Sequence, residues 1–514
     1  MKKRGSIGKA SYSALVLPLF LFLSVYALWP LGTSPCPHDH ADTLFNSWLI
    51  RWNIHSALSG ENPLELPIFS GFPDGQGRSD LLLTQSLAAL PLYLAGAGPV
   101  RSHNILLTAF LLLAGWAAYV LALEFGSGYG GAVFAGSAVI LLPWFQSHLW
   151  HLQLFSGGLG LLAIFSAVRT AKGKSSGWQV GLFVLLQCLA SLYMWYFVNI
   201  AIVLLLPFLF LQEKRTGAGK VLAWFIAGNV FCIPFLLKHM SHAGKWSVDT
   251  LTSTDLAAFL SPWETSILFG WMRPVGMHPE AALWPGLAVT AGFLWYLFAG
   301  TKSRTDWYLI LCIVLFSVLS LGPTLVVFGK ELAPAPFRLI AALPGASSIR
   351  LPARGAFFAL VPMAILAGRM LERKTVLIAT GMFIAAAGLF HSPIETIPLP
   401  AQPWHDWIAG QNFGRVLYLP ISDDMTRPET ETLRLIASTT HYTPSVNGYS
   451  TTLPEEYTRA SIVLNGWPSD KAQIMVQEFG VDCIVIEHCI LPETGTTFTA
   501  EDGSVTAVLV LPSE

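Results

Sequence analysis

The sequence predicts an all-α polytopic membrane protein of about eleven spans, with a small C-terminal α/β domain outside the membrane. Three observations lead there. Of 514 residues, 53% are hydrophobic and only 12% charged, about half the charge of an ordinary soluble domain. Charge-free apolar runs long enough to cross a bilayer recur through residues 1–390. Beyond 391 the pattern changes to short strand-like runs and an amphipathic helix.

The first element is "MKKRGSIGKA" followed by "LVLPLFLFLSVYALW". Its charge order is that of a signal peptide, but the apolar run nears the ~20 residues that span a bilayer. It reads as a retained first span with its basic end in the cytoplasm. Further runs lie at 81–98, 104–123, 129–146, 153–168, 178–212, 220–237, 282–299, 307–327, 355–368 and 375–390, and 178–212 is long enough to cross twice. The basic connections at 169–174, 212–220, 300–307 and 368–374 all fit the cytoplasmic side if the spans from 178 onward alternate. Loops 32–80, 238–281 and 328–354 and the tail then face outward. Four runs precede residue 169 where an odd number must cross, so one fails to span; 81–98, with Pro91, is the candidate. The expected division is a transmembrane domain over 1–390 and a soluble α/β domain over 391–514, placed in the inner (cytoplasmic) membrane of a bacterial cell.

Within the tail, 414–420, 481–488 and 504–512 read as strands, and 469–480 as a helix ending at Gly480. Six cysteines make no disulfide framework in a chain this long. Cys188, Cys232 and Cys312 lie in apolar runs, which leaves Cys36, Cys483 and Cys489 for solvent. A net charge of −1 offers no field for nucleic acid, and that partner is excluded.

Ionisable groups collect in the outer loops, densest in "CPHDHADTLFNSWLIRWNIH" at 36–55. Asp42 occupies the expected N-cap of a helix. On that helix Phe45, Trp48, Leu49 and Trp52 share one face, with Asp42, Asn46 and Asn53 on another. This is the pattern of an interfacial helix with aromatics at headgroup level. Asp42 is equally compatible with plain helix capping, while His38, His40 and Asp42 are ligand types that suit a divalent cation, at a spacing that is also common by chance, so a divalent cation is a candidate cofactor and none is fixed by the sequence. His148, His151 and Gln153 sit in an aromatic turn with Trp144 and Trp150, suited to a sugar or to an interfacial belt. Glu280 offers an acceptor contact or an ordinary solvated loop charge. Arg350 and Arg354 stand one helical turn apart on the outer side, where planar guanidinium forks suit a phosphate. Tyr193 and Tyr196 mark a turn between two spans. "HYTPSVNGYS" (441–450) carries an Asn-Gly turn signal.

An N-terminal span, an outer loop with an acidic residue, then Trp48, Trp52, His55, Gly60 and "NPLELPIFSGFPDGQGRSDLL" resemble the GT-C superfamily of membrane glycosyltransferases. "HLWHLQ", "SLYMWY", "LWPGL", "LGP", "SIRLPARG" and "SVNGYS" extend the resemblance over nearly the whole chain. The resemblance implies sugar transfer from a polyprenyl-phosphate donor to a glycan, lipid or protein acceptor at the outer face, among membrane lipids. It implies Asp42 as general base, with Asp39 as its neighbour because many members carry an adjacent acidic pair. Arg350, Arg354, His55, His148, His151, Gln153 and Glu280 are then the expected substrate contacts. A non-catalytic member that serves as scaffold or lipid-handling partner is the alternative.

Overall fold

The computed structural model describes residues 7–72, 80–212, 215–242, 251–274, 276–342, 346, 349–422, 428–450, 453–489, 495–499 and 504–511. The helices are α1 (Ile7–Ala27), α2 (Asp42–Ser59), α3 (Leu83–Leu94), α4 (Pro99–Glu124), α5 (Tyr129–Ile140), α6 (Pro143–Gln146), α7 (Leu152–Phe155), α8 (Gly157–Ala171), α9 (Trp178–Ala190) and α10 (Leu192–Gln212). They continue with α11 (Arg215–His242), α12 (Leu287–Ala299), α13 (Arg304–Ser320), α14 (Phe337–Ala341), α15 (Phe357–Leu371), α16 (Thr375–Gly388), α17 (Pro403–Ala409), α18 (Pro428–Ser438), α19 (Tyr457–Leu464) and α20 (Asp470–Glu478). The strands are β1 (Thr324–Val327), β2 (Lys330–Pro334), β3 (Val416–Leu419), β4 (Cys483–Cys489), β5 (Thr496–Thr499) and β6 (Val505–Val510). Two compact units divide the chain. One gathers 1–33, 105–237 and 245–394, the other 34–104, 238–244 and 395–514.

The first unit is a helical bundle. Among the described residues, six helical stretches are long and apolar enough to cross a membrane: Pro99–Glu124, Tyr129–Gln146, Leu152–Ala171, Leu192–Leu211, Arg215–Lys238 and Pro352–Leu371. Five shorter apolar helices accompany them, among them Leu83–Leu94, whose 12 residues extend only about 18 Å. The chain is thus a multi-pass membrane protein. The 178–212 run breaks at Ser191, where extended backbone (φ −162°) separates α9 from α10. Ser303 and Asp306 start α13 with reciprocal side-chain-to-backbone bonds of 3.3 and 2.8 Å, a capping box that satisfies two orphan donors. Tyr296 donates to Asp306 (2.7 Å), which also pairs with Arg369. α15 packs against α5, α12 and α13. At its contact with α5, a Cβ on Gly131 would lie 2.8 Å from the Gly368 carbonyl oxygen. Only glycine lets these backbones touch, the small-residue packing by which helices associate where lipid removes the hydrophobic drive.

The second unit joins the first loop to the tail. Its sheet runs β3-β4-β6-β5, with β3 parallel to β4 and the other pairs antiparallel. Val416, Tyr418, Cys483, Val485 and Val508 pack with Trp404 and Ile408 on one face. Leu417, Leu419 and Ile484 are buried as well, so β3 and β4 are covered on both sides, as parallel strands usually are. Cys483, expected at the solvent, is fully buried at the centre of this core; Cys36 is half-buried, and the Cys489 side chain lies outside the described residues.

Segment 444–447 hydrogen-bonds to β3 through Val416 N to Pro444 O (2.9 Å) and Val446 N to Val416 O (3.0 Å). Segment 67–70 hydrogen-bonds to it in turn, through Ser445 N to Pro67 O (3.0 Å) and Phe69 N to Asn447 O (3.1 Å). Two stretches almost 400 residues apart are thereby one structure. Asn447 is not the corner of an Asn-Gly turn; its side chain brackets Tyr418, accepting from its N–H (2.8 Å) and donating to its C=O (3.0 Å). Gly448 is required for space, since a Cβ there would meet the Phe69 ring at 2.9 Å.

Candidate active site

In the second unit the start of α2 separates the two aspartates by role. Ala41, not Asp42, is the N-cap residue, and Asp42 is the first helical residue. Asp39 does the capping. Its Oδ1 accepts from Ala41 N (2.7 Å) and Thr43 N (3.4 Å), and its Oδ2 from the Thr43 hydroxyl. His38 Nε2 lies 3.2 Å from the same carboxylate. Asp42 instead accepts from the Tyr449 hydroxyl at 2.7 Å, and Phe45, one helical turn on, meets the Tyr449 ring edge-on at 5.2 Å. The helix dipole favours a negative charge at this position. Tyr449 is the residue that sequence reading passed over; it lies within the quoted "SVNGYS" motif, but 407 positions away.

The aromatic face of α2 is not interfacial. Phe45, Trp48, Leu49, Trp52, Asn46 and Asn53 are all buried, because α3 and α18 pack on this helix. His55 stacks on Tyr442 with ring centroids 4.1 Å apart, and Arg51 lies over Tyr93 at 4.6 Å. His55 therefore belongs to the unit that carries Asp42.

In the first unit three distant segments converge. Arg354, on the 3-10 turn Pro352–Ala356, grips Glu280 with both prongs, Nε to Oε2 at 2.8 Å and Nη2 to Oε1 at 2.9 Å. Nη2 also donates to His151 Nε2 at 3.0 Å, which leaves the His151 proton on Nδ1. His148 Nε2 approaches Glu280 Oε2 at 3.2 Å, while its Nδ1 meets the Trp144 carbonyl at 2.6 Å. The Arg354 guanidinium lies 4.8 Å above the Tyr193 ring, and Tyr193 Oη accepts from Arg350 N at 3.2 Å. Glu280 is 4% exposed and Arg354 5%, so Glu280 is no solvated loop charge. Trp144 and His148 are fully buried and form no aromatic belt. Gln153 lies on α7, its carbonyl accepting from Ser156 Oγ at 2.6 Å.

Electrostatics sets the charge states. Burial would raise the Glu280 carboxyl, but Arg354, with His151 and His148, holds it well below the usual carboxylate range. Burial pushes the His148 imidazole down against the pull of Glu280. Burial likewise lowers His278, whose Nδ1 accepts from Glu280 N at 3.2 Å. The cluster therefore centres on the buried Arg354–Glu280 ion pair, with His148 and His151 beside it. Among the described residues no set of three or more His, Cys, Asp or Glu side chains is arranged to hold a metal ion.

No protein-family model and no curated protein sequence matches the chain. Solved structures do. The arabinofuranosyltransferase AftD from Mycobacteria superposes with a TM-score of 0.61 at 15% identity, covering 98% of this chain and 40% of AftD. ArnT from Cupriavidus metallidurans in the apo state gives 0.46 at 11% identity, covering 98% of both chains. An oligosaccharyltransferase from Archaeoglobus fulgidus gives 0.38 at 12% identity, covering 92% of this chain and 68% of that one. The chain therefore shares the fold of the matching part of AftD. The chain spans two-fifths of the length of AftD.

Proposed function

We propose that the chain is an integral-membrane glycosyltransferase that moves a sugar from a polyprenyl-phosphate donor to a hydroxyl of a glycan, lipid or protein acceptor. The reaction takes place at the outer face of the cytoplasmic membrane, with the N-terminus inside and residues 391–514 outside. The clustering of basic connections on one side supports that orientation.

The observation that carries the reading is the division of labour at α2, where Asp39 accepts from the N–H groups of the helix start and Asp42, the first helical residue, accepts from the Tyr449 hydroxyl. Asp42 accepts the acceptor hydroxyl proton as that oxygen bonds to the anomeric carbon. The bond from that carbon to the phosphate oxygen breaks, and polyprenyl phosphate leaves with the electron pair. In the bundle, Arg350 is the proposed contact for a lipid phosphate. Arg354, already matched to Glu280, holds the 350–354 turn in place with His148 and His151. Within the unit that carries Asp42, His55 contacts the substrate and residues 395–514 recognise the acceptor. No step is routed through a metal ion.

General-base assistance contributes about 10²- to 10⁴-fold. Asp42→Asn in the purified full chain should therefore slow acceptor-dependent release of polyprenyl phosphate by that factor, with expression unchanged. Full activity of the variant would remove Asp42 from the role. Donor binding without release across a panel of lipid-linked pentoses and hexoses would remove transfer altogether.

A further inference from the structure

β1 and β2 form a hairpin that springs from the end of α13, joined to it by only Leu321, Gly322 and Pro323. α13 packs against the 3-10 turn Pro352–Ala356, where the span Pro352–Leu371 begins. Thr254 N donates to Leu321 O (2.9 Å) and Thr252 N to Arg350 O (3.0 Å), which holds the hairpin base at the level where that span starts.

The two-residue loop is Phe328-Gly329, with φ of +47° and +76°. Such loops take Asn-Gly or Gly-Gly almost by default, because both residues occupy the left-handed region. An aromatic residue there works against the backbone. The Asp255 carboxylate enforces the conformation, accepting from Phe328 N (3.1 Å), Gly329 N (2.6 Å) and Ala257 N (2.8 Å). The result is a Phe328 side chain 80% exposed at the tip. A register shift on β2 leaves Leu332 outside the pairing, and it too is exposed, as bulged residues often are. Leu256, Leu260 and Leu339, on segments that contact β1 or α13, are exposed as well. Lys330 and Arg338 stand exposed among them.

We propose that this hairpin is a membrane-contact finger whose Phe328 tip seats at the headgroup–acyl boundary of the bilayer the chain crosses. Large apolar side chains left exposed on neighbouring segments mark an interaction surface. Its position beside the start of a span makes lipid the adjacent phase. Aromatic tips with flanking cations are the chemistry that boundary favours.

The test uses the full chain in phospholipid nanodiscs containing phosphatidylethanolamine and phosphatidylglycerol. A photoreactive p-benzoylphenylalanine replaces Phe328, or in a second variant Leu332. Irradiation should yield phospholipid adducts at both positions, several-fold above those at the exposed Lys471 on α20. Phe328→Asn suits the turn but deletes the apolar tip, and it should lower lipid labelling from position 332 several-fold. Adducts confined to protein, or lipid labelling at 332 indifferent to Phe328→Asn, would overturn the proposal.

Discussion

Each unit is organised around one buried arginine, and the two arginines differ in their number of acidic partners. Among the described residues Arg354 in the helical bundle faces one carboxylate, Glu280, with the Tyr193 ring below it and two histidines beside it. Arg434 in the sheet-bearing unit faces two, binding Glu487 at 2.7 and 3.2 Å and Glu431 at 2.9 Å, with Tyr418 at 5.6 Å. His405 and His441 stack beside Tyr418, joined at 3.0 Å. One cation balances one anion in the first case, and Glu280 is held well below the ordinary range. In the second a single cation serves two anions. Burial then dominates, and the Glu431 carboxyl is raised. Its Oε2 is buried with no hydrogen-bond partner among the described residues. The same residue types thus hold one carboxyl below the ordinary range in one unit and leave one above it in the other.

The comparison can be broken most directly at its centres. Arg434→Met should cost about 3–5 kcal/mol, because it strands two buried carboxyls. Glu280→Gln should cost about as much, since it removes the carboxylate charge that faces the buried Arg354. Glu431→Gln, by contrast, should stay within about 1 kcal/mol, because the amide replaces a carboxyl already inclined to hold its proton. Hydrogen exchange read separately on peptides of β3–β4 and of α15 measures all three. Equal losses for Glu280→Gln and Glu431→Gln would erase the distinction between the units.

Acidification sharpens it. Glu280 has a lowered folded-state pKa, so its stabilising contribution is present above the unfolded carboxylate value and is lost as pH falls through the folded one. Glu431 is raised, so its contribution is full below the unfolded value and disappears as pH climbs through the folded one. His441, lowered by burial to about 4, adds a loss in the second unit between its ordinary 6.5 and about 4 as pH falls. Burial lowers His148 and His278 in the bundle as well, so exchange in both units should begin to rise below pH 6.5, and the bundle alone should lose further protection as pH falls through the lowered Glu280 value. Coincident profiles would contradict the assignment.

Two smaller effects separate the aspartates. Asp39→Ala removes the cap of α2 and should cost roughly 0.5–2 kcal/mol of local stability. Tyr449→Phe deletes one hydrogen bond to Asp42, worth about 1 kcal/mol, and should slow the proposed transfer by roughly fivefold without loosening α2. If Tyr449→Phe destabilises while Asp39→Ala does not, the roles are reversed.

The apolar runs were legible in the sequence because lipid leaves a backbone no choice but to satisfy itself within a helix. The tail segments that became β3, β4, β6 and α20 were legible from short-range pattern. What could not be read was anything decided by a remote partner. Phe45, Trp48 and Trp52 have the spacing of an interfacial stripe, yet α18 covers their helix from nearly 400 residues away. Glu280 looks like any loop carboxylate until Arg354 arrives 74 positions later. Asp39 and Asp42 are indistinguishable by spacing alone, since one backbone torsion at Ala41 decides which carboxylate turns back to cap.

The glycine seam between α5 and α15 has a consequence for temperature. Backbones that touch at Gly131 and Gly368 exclude lipid rather than water, so their association carries little of the heat-capacity change that accompanies apolar hydration. The sheet core around Tyr418 and Cys483 is buried from water and carries it fully. On cooling, the water-formed core weakens while the seam keeps its strength. Chilled preparations should therefore lose the sheet first, with the bundle still assembled.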